Sequence, residues 1–237
     1  DFEIHSLIVL SEKKWVSEIR KLAKKIEVDL KVRVERLPYE ILRFYYRGFQ
    51  IELAPARYEK FRRENISHQH KNFECKIVSQ GDFKELWKRR DFSMNSIGIQ
   101  FLENEENWID PFGGRKDLSN KVLDIVSESF CHDPVRLLRA FRFKNTLGVT
   151  FSDKLKESLQ KMNLSELTLY YFFKESLRGN IKLMATEIGS YVEKNNIPVS
   201  TDLNKIFIKN YNVGNYYENI DRLEHFVWNL ALENNIE

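Results

Sequence analysis

The spacing of the apolar residues changes at Gly113-Gly114, and that change limits the chain to two unlike parts. Before it, apolar and polar residues alternate with period two, as half-buried strands require. Phe2, Ile4 and Ser6 alternate with Asp1, Glu3 and His5, and Leu30, Val32 and Val34 alternate with Lys31, Arg33 and Glu35. Residues 41–46 and 49–54 predict a hairpin around Arg47-Gly48, and Ile97, Ile99 and Phe101 predict a further strand, with a short one at Trp108-Ile109. Two helical spacings interrupt them, at 11–26 with Ser11 as N-cap and at 82–90. The polar stretch from Arg57 to about Lys71 has no clear period and reads as a loop. After the glycine pair the strand signal almost vanishes. Helical spacing covers 117–129, 133–145, 153–162, 166–178, 180–194 and 215–234. The expectation is an α/β head with a mixed sheet over 1–112, followed by all-helical units over 113–183 and 184–237.

Charge matters here by position rather than by sum. The 38 basic residues nearly cancel 35 acidic ones, so net charge selects no partner. Local clusters do more: Lys60, Arg62 and Arg63; Lys88, Arg89 and Arg90; and Arg136, Arg139 and Arg142 at every third residue. Such clusters suit phosphates, although ordinary solvated surface is the simpler reading of any one of them. Cys75 and Cys131 are too few for a disulfide framework, which implies a reducing, cytoplasmic setting. No apolar run approaches a membrane span, so no membrane partner is expected.

Four groups of residues carry chemistry. Asp1 and Glu3 share one face of the first strand, and Glu52 points away from the apolar side of its own strand. Carboxylates on neighbouring strands could hold Mg²⁺ for phosphoryl transfer, which uses hard oxygen ligands. Solvent-facing acids are the simpler alternative. Arg89-Arg90-Asp91-Phe92-Ser93-Met94-Asn95 places two guanidiniums beside a carboxylate, a set able to grip phosphate oxygens and a ribose hydroxyl. An exposed helix end would look the same. Asp110-Pro111-Phe112-Gly113-Gly114-Arg115-Lys116-Asp117-Leu118 is a turn, either a plain linker or a hinge. His132-Asp133-Pro134-Val135-Arg136 starts a helix, with Asp133 as N-cap and Pro134 at N1. Asp133 and Arg136, three apart, can present an acceptor and a planar donor fork to a base edge, or simply pair with each other. His68 and His70 have too few companions to bind metal, and Tyr170 to Phe173 read as a helical core stripe.

Taken in order, Arg-Arg-Asp-Phe-Ser-Met-Asn, Asp-Pro-Phe-Gly-Gly-Arg-Lys-Asp-Leu and Asp-Pro-Val-Arg-Leu-Leu-Arg-Ala-Phe-Arg-Phe resemble the class II tRNA nucleotidyltransferase (CCA-adding) and bacterial poly(A) polymerase family. The resemblance is clear over 89–151 and weaker over 1–88. It implies a polymerase-β-like head followed by helical neck and body. It also implies Mg²⁺-dependent addition of CMP and/or AMP to an RNA 3′ end, with release of pyrophosphate. On the matching motifs, Arg89, Arg90, Asp91 and Asn95 would contact the incoming CTP or ATP. Asp133 and Arg136 would select the base, and Arg139 would support them or touch phosphate. Arg142 and Arg115 would meet RNA phosphates, and Gly113-Gly114 would be the head–neck hinge.

The start of the chain departs from the family pattern. Its Gly-Gly-x-Val-Arg-Asp segment has no counterpart here, and Asp1-Phe2-Glu3-Ile4-His5-Ser6-Leu7 resembles the second half of the following metal-binding stretch. The preferred alignment makes Asp1 the second metal-binding aspartate; alternatively Asp1 and Glu3 form a variant pair, with Glu52 as the third acid in either case. The expectation is no activity or very weak activity for this polypeptide alone, unless a second chain supplies the missing segment. A non-catalytic RNA-binding half-enzyme is the rival. His132 stands where the family has an acid, and Ser165-Glu166-Leu167-Thr168-Leu169 lacks the arginine of the family's Glu-Arg brace, so base selection could differ.

Overall fold

The computed structural model describes residues 4–6, 12–61, 73–77, 82–102 and 105–207. Asp1, Glu3, Ser11, His68, His70 and the helix expected at 215–234 lie outside them.

The first part is a four-stranded mixed sheet backed by one helix. Its elements are β1 (Ile4–Ser6), α1 (Glu12–Leu30), β2 (Val34–Leu37), β3 (Ile41–Tyr46) and β4 (Phe49–Leu53). The sheet order is β1-β4-β3-β2, with β1 parallel to β4 and the other pairs antiparallel. Ile19 and Ala23 of α1 are buried against Leu42, Phe44 and Leu53 of the sheet. The expected hairpin forms as β3 and β4, turning at Gly48, whose φ of 82° suits glycine. One expectation is corrected: α1 continues through Leu30, and the next strand begins only at Val34. Leu30 and Val32 pack on the same cluster from a helix end and a connector, so apolar spacing alone could not separate helix from strand there.

A second correction concerns the stretch read as a loop. Arg57–Phe61 forms β5, antiparallel to β6 (Phe73–Ile77). Arg57 and Glu59 alternate with the more exposed Tyr58 and bond each other, Arg57 Nε to Glu59 Oε1 at 2.8 Å, each side chain only 10% exposed. The strand has the expected period, but its inward side is an ion pair rather than apolar. The next elements are α2 (Phe83–Trp87) and the hairpin β7 (Gly98–Leu102)–β8 (Glu105–Ile109). Asp82 caps α2 by accepting the Lys84 N–H at 3.2 Å.

From Gly114 the chain is mainly helical: α3 (Gly114–Ser119), α4 (Val135–Leu147), α5 (Asp153–Gln160), α6 (Leu169–Ser176), α7 (Ile181–Lys194) and α8 (Thr201–Phe207). Two dipeptide strands, β9 (Val122–Leu123) and β10 (Thr150–Phe151), pair in parallel. The helix expected over 117–129 is not formed. It stops at Ser119, and Lys121 adopts a left-handed φ of 53°. Residues 120–134 then wrap the core, burying Leu123 and Phe130. α8, which the spacing did not predict, is started by Ser200, whose Oγ accepts the Leu203 N–H at 3.4 Å. In the aromatic run of α6, Phe172 is buried while Tyr170 is exposed, so only part of that stripe is core.

One packing fact positions the site. Phe92, from the segment before the glycine pair, belongs to the helical core and not to the sheet core. It is fully buried against Phe130 and Phe143, with ring centroids 5.3 and 5.6 Å away. The residues flanking it are thereby pinned to α4.

Candidate functional site

Asp91 is the centre of the arrangement. It precedes Phe92, and Phe92 is drawn into the core, so the carboxylate must follow it below the surface and find partners. Oδ1 accepts the Phe92 N–H and the Asn95 Nδ2–H, both at 2.9 Å. Oδ2 accepts Arg139 Nε–H at 2.6 Å, bridging to α4. Burial pushes the Asp91 carboxyl up, but Arg139, the Asn95 hydrogen bond and the Arg136 charge outweigh it and hold it below the usual carboxylate range. It is ionised at neutral pH, with three of about four acceptor positions filled.

The two preceding arginines diverge. The Arg90 guanidinium donates to the Asn95 carbonyl and lies over the Trp87 ring at 5.6 Å. Arg89 faces β5, where Glu59 Oε1 stands 3.6 Å from its Nη1. Burial lowers the Arg89 pKa to about 10, with Arg57 adding repulsion and Glu59 opposing both. The guanidinium remains charged at neutral pH.

α4 supplies the facing wall. Asp133 is extended, and its Oδ1 accepts the Val135 N–H at 3.0 Å, while Pro134 already has helical angles. The predicted start of this helix therefore holds. Arg136 is buried: Nη2 donates to the Arg89 carbonyl at 2.7 Å, and Nε lies 3.9 Å from Asp133 Oδ2. One turn on, Arg139 reaches both Asp91 and Glu175 of α6, the latter at 3.8 Å. Arg142 meets Glu175 at 3.1 Å. The structure thus brings Arg89, Arg90, Asp91, Asn95, Asp133, Arg136, Arg139 and Arg142 into one connected set. Glu175 and Glu59 belong to that set and were not anticipated. Glu175 is buried and Glu59 partly buried, each among cations, and only that placement marks them.

Glu52 and Arg115 stand apart from this set. Arg43 Nε and Nη2 reach Glu52 Oε1 at 2.8 and 2.7 Å, and Gln50 Nε2 reaches the same oxygen at 3.3 Å. All three contacts fall on Oε1, so Oε2 could serve as one hard ligand. Among the described residues no group of three candidate ligands forms a metal site. Arg115 lies over the Trp108 ring at 4.7 Å.

The glycine pair is a packing device as well as a turn. Gly113 has a φ of 72°, and a Cβ on Gly114 would lie 2.2 Å from the Ser93 carbonyl oxygen. Asp110 accepts the Gly114 and Arg115 N–H groups at 2.7 and 3.0 Å, and Ser93 Oγ donates to Asp117 at 2.6 Å. Gly114→Ala must push backbone against backbone beside Asp91. It is expected to cost about 1–3 kcal/mol, by analogy with overpacked cores. Urea unfolding checks this; an unchanged midpoint would show that the turn tolerates a methyl group.

The Poly A polymerase head domain family matches residues 16–124. The CCA-adding enzyme of Alteromonas mediterranea is 34% identical over 144 residues, covering 56% of this chain and 36% of that protein. The A-adding tRNA nucleotidyltransferase of Aquifex aeolicus is 35% identical over 134 residues, covering 56% of this chain and 15% of that protein. The chain thus spans little more than a third of the first relative's length, and less of the second. A tRNA-processing enzyme solved with CTP superimposes with a TM-score of 0.56 at 26% identity, over 80% of this chain and 47% of the other. A tRNA nucleotidyltransferase solved with a primer tRNA and an incoming ATP analogue shares the fold, with a TM-score of 0.60 at 24% identity, over 100% of this chain and 63% of the other. No helix among the described residues is long and apolar enough to cross a membrane.

Proposed function

Because the chain belongs to the class II tRNA nucleotidyltransferase and poly(A) polymerase family, we propose that it adds CMP and/or AMP to the 3′ end of an RNA, namely tRNA. The observation that carries this is the convergence of the two separate motifs on Asp91, with Asn95 on one side and Arg139 on the other. In this reading the remaining acceptor position of Asp91 takes a ribose hydroxyl of CTP or ATP. Arg89 and Arg90 lie beside it as charges for the triphosphate. Asp133 and Arg136 present the base-reading edge, and Arg142 and Arg115 meet RNA phosphates. Holding nucleotide and RNA end together, with charge neutralisation on the triphosphate, lowers the barrier in such transfers.

Mg²⁺ belongs to the same proposal. When bound it would neutralise triphosphate charge, with Glu52, Asp1 and Glu3 as the expected ligands. The free Cys75 and Cys131 suit a reducing, cytoplasmic setting. In the same reading the chain divides into head (1–112), neck (113–183) and body (184–237), a division supported by the change of element type at Gly114.

The test is a panel of tRNAs ending before C, after CC and after CCA, each offered single labelled NTPs. Addition of CMP and then AMP is expected for a CCA-adding activity. AMP addition only after CC marks the A-adding subclass, CMP alone the CC-adding one, and repeated AMP addition a poly(A) polymerase. Tight tRNA binding with no addition, even at high Mg²⁺, would overturn the catalytic reading in favour of a partner-dependent half-enzyme.

A further inference from the structure

We propose that Glu175 is a positioning residue: it fixes the Arg139 guanidinium against Asp91 and so presets the acceptor that meets the nucleotide. The inference rests on the nucleotide-binding reading of Asp91 given above.

Glu175 is 5% exposed on α6, and a buried carboxylate persists only when compensated. Its two oxygens are divided. Oε1 stands 3.8 Å from Arg139 Nη1, and Oε2 stands 3.1 Å from Arg142 Nε. The second contact lies off the line a hydrogen bond needs, so it is Coulombic and weakly directional. Burial lowers the Arg142 pKa and Glu175 counters it. Arg139 and Arg142 are three apart on α4, where like charges are neighbours and repel. Both also border the Phe143 ring, at 5.4 and 4.3 Å. Glu175 neutralises this pair from the facing helix. With Asp91 it makes a quartet of two acids and two bases, without net charge.

The consequence reaches Asp91 through one guanidinium. Arg139 gives Nε to Asp91 Oδ2 at 2.6 Å, while the Glu175 charge, 3.8 Å from its Nη1, attracts the other end of the guanidinium without a hydrogen bond. Oδ1 already has two donors. The open acceptor position is therefore on Oδ2, and the angle at which Arg139 approaches decides where it points. Without the Glu175 charge, Arg139 keeps its repulsive neighbour and loses the attraction that opposes it. It then turns further onto Asp91 or away from it, and either movement spoils the acceptor. Glu175 acts through Arg139 and is not assigned any contact with substrate.

The experiment uses the full 237-residue chain, with ATP and CTP affinities measured by equilibrium dialysis and folding followed by circular dichroism. Glu175→Gln keeps the shape and removes the charge. A loss of about tenfold in nucleotide affinity is expected, the size of one modest charged contact, with recovery toward wild type in Glu175→Asp. Combining Glu175→Gln with Asp91→Asn should give less than the product of the two losses, because both act on one acceptor. A folded Glu175→Gln chain with wild-type affinity, or a multiplicative double variant, would overturn the proposal. If Glu175→Gln does not fold, the pair Arg142→Met/Glu175→Leu removes both charges from the core and with them the Glu175 attraction on Arg139 Nη1. Weakened affinity there supports the positioning role, and wild-type affinity refutes it. If the wild-type chain binds neither nucleotide, the reading of Asp91 fails and this inference falls with it. Wild-type binding that Glu175→Gln leaves intact removes the positioning role alone.

Discussion

Asp91→Ala is expected to destabilise the chain by about 3–5 kcal/mol, as breaking a buried ion pair from one side does. The loss has a specific source. Arg139 Nε would face an emptied cavity, and the Phe92 N–H and Asn95 Nδ2 would lose their acceptor. Asp91→Asn should cost less, because an amide oxygen still accepts. Urea unfolding at neutral pH measures both, and equal small losses would mean that Arg139 finds another partner. The same carboxylate sets an acid limit. Its folded pKa lies below the ordinary value, so its contribution is complete above the unfolded pKa of about 3.9 and disappears as pH falls through the folded value. Wild type should therefore lose stability below about pH 4 more steeply than Asp91→Asn. Parallel pH profiles for the two would remove Asp91 from the acid response.

Arg136→Ala is expected to carry the second large effect, and it should appear in two measurements at once. Structurally the variant loses a charged donor to the Arg89 carbonyl at 2.7 Å and the guanidinium over Phe130 at 5.7 Å. A cost of about 1.5–3 kcal/mol follows for a hydrogen bond to a charged group. Functionally, a base-reading Arg136 is worth about 1–3 kcal/mol of discrimination, the scale of a bidentate side chain–base contact. Single-nucleotide incorporation should then show CTP and ATP losing their advantage over GTP and UTP, while tRNA affinity changes little. An equal loss for all four nucleotides would leave Arg136 as a clamp between α4 and Arg89, without a template role.

The balance between these roles was not visible before folding. The spacing of Asp133 and Arg136 is that of a reading edge, and it is also that of an ion pair. At 3.9 Å with Arg136 buried, the structure allows the pair, yet Arg136 also donates at 2.7 Å to a backbone carbonyl 47 residues away. Such a partner leaves no periodic trace. Glu175 is a similar case. It sits in an aromatic stretch whose neighbours predict only core, and its two arginines lie on another helix. β5 leaves no apolar alternation for a related reason: its inward positions are Arg57 and Glu59.

What the sequence alone determined was the part governed by local rules. Period-two and helical spacings located most elements, Gly48 and Gly113 marked backbone turns of positive φ, and Asp133-Pro134 marked the start of α4. The order of the three motifs indicated the family. Only the tertiary structure decided which charges meet. It drew Phe92 into the helical core, which buried Asp91 against Arg139 and set Glu175 behind them. The physical reason is range: backbone preference and amphipathic spacing are written within a few residues, whereas the compensation of a buried charge depends on whatever distant residue the packing places beside it.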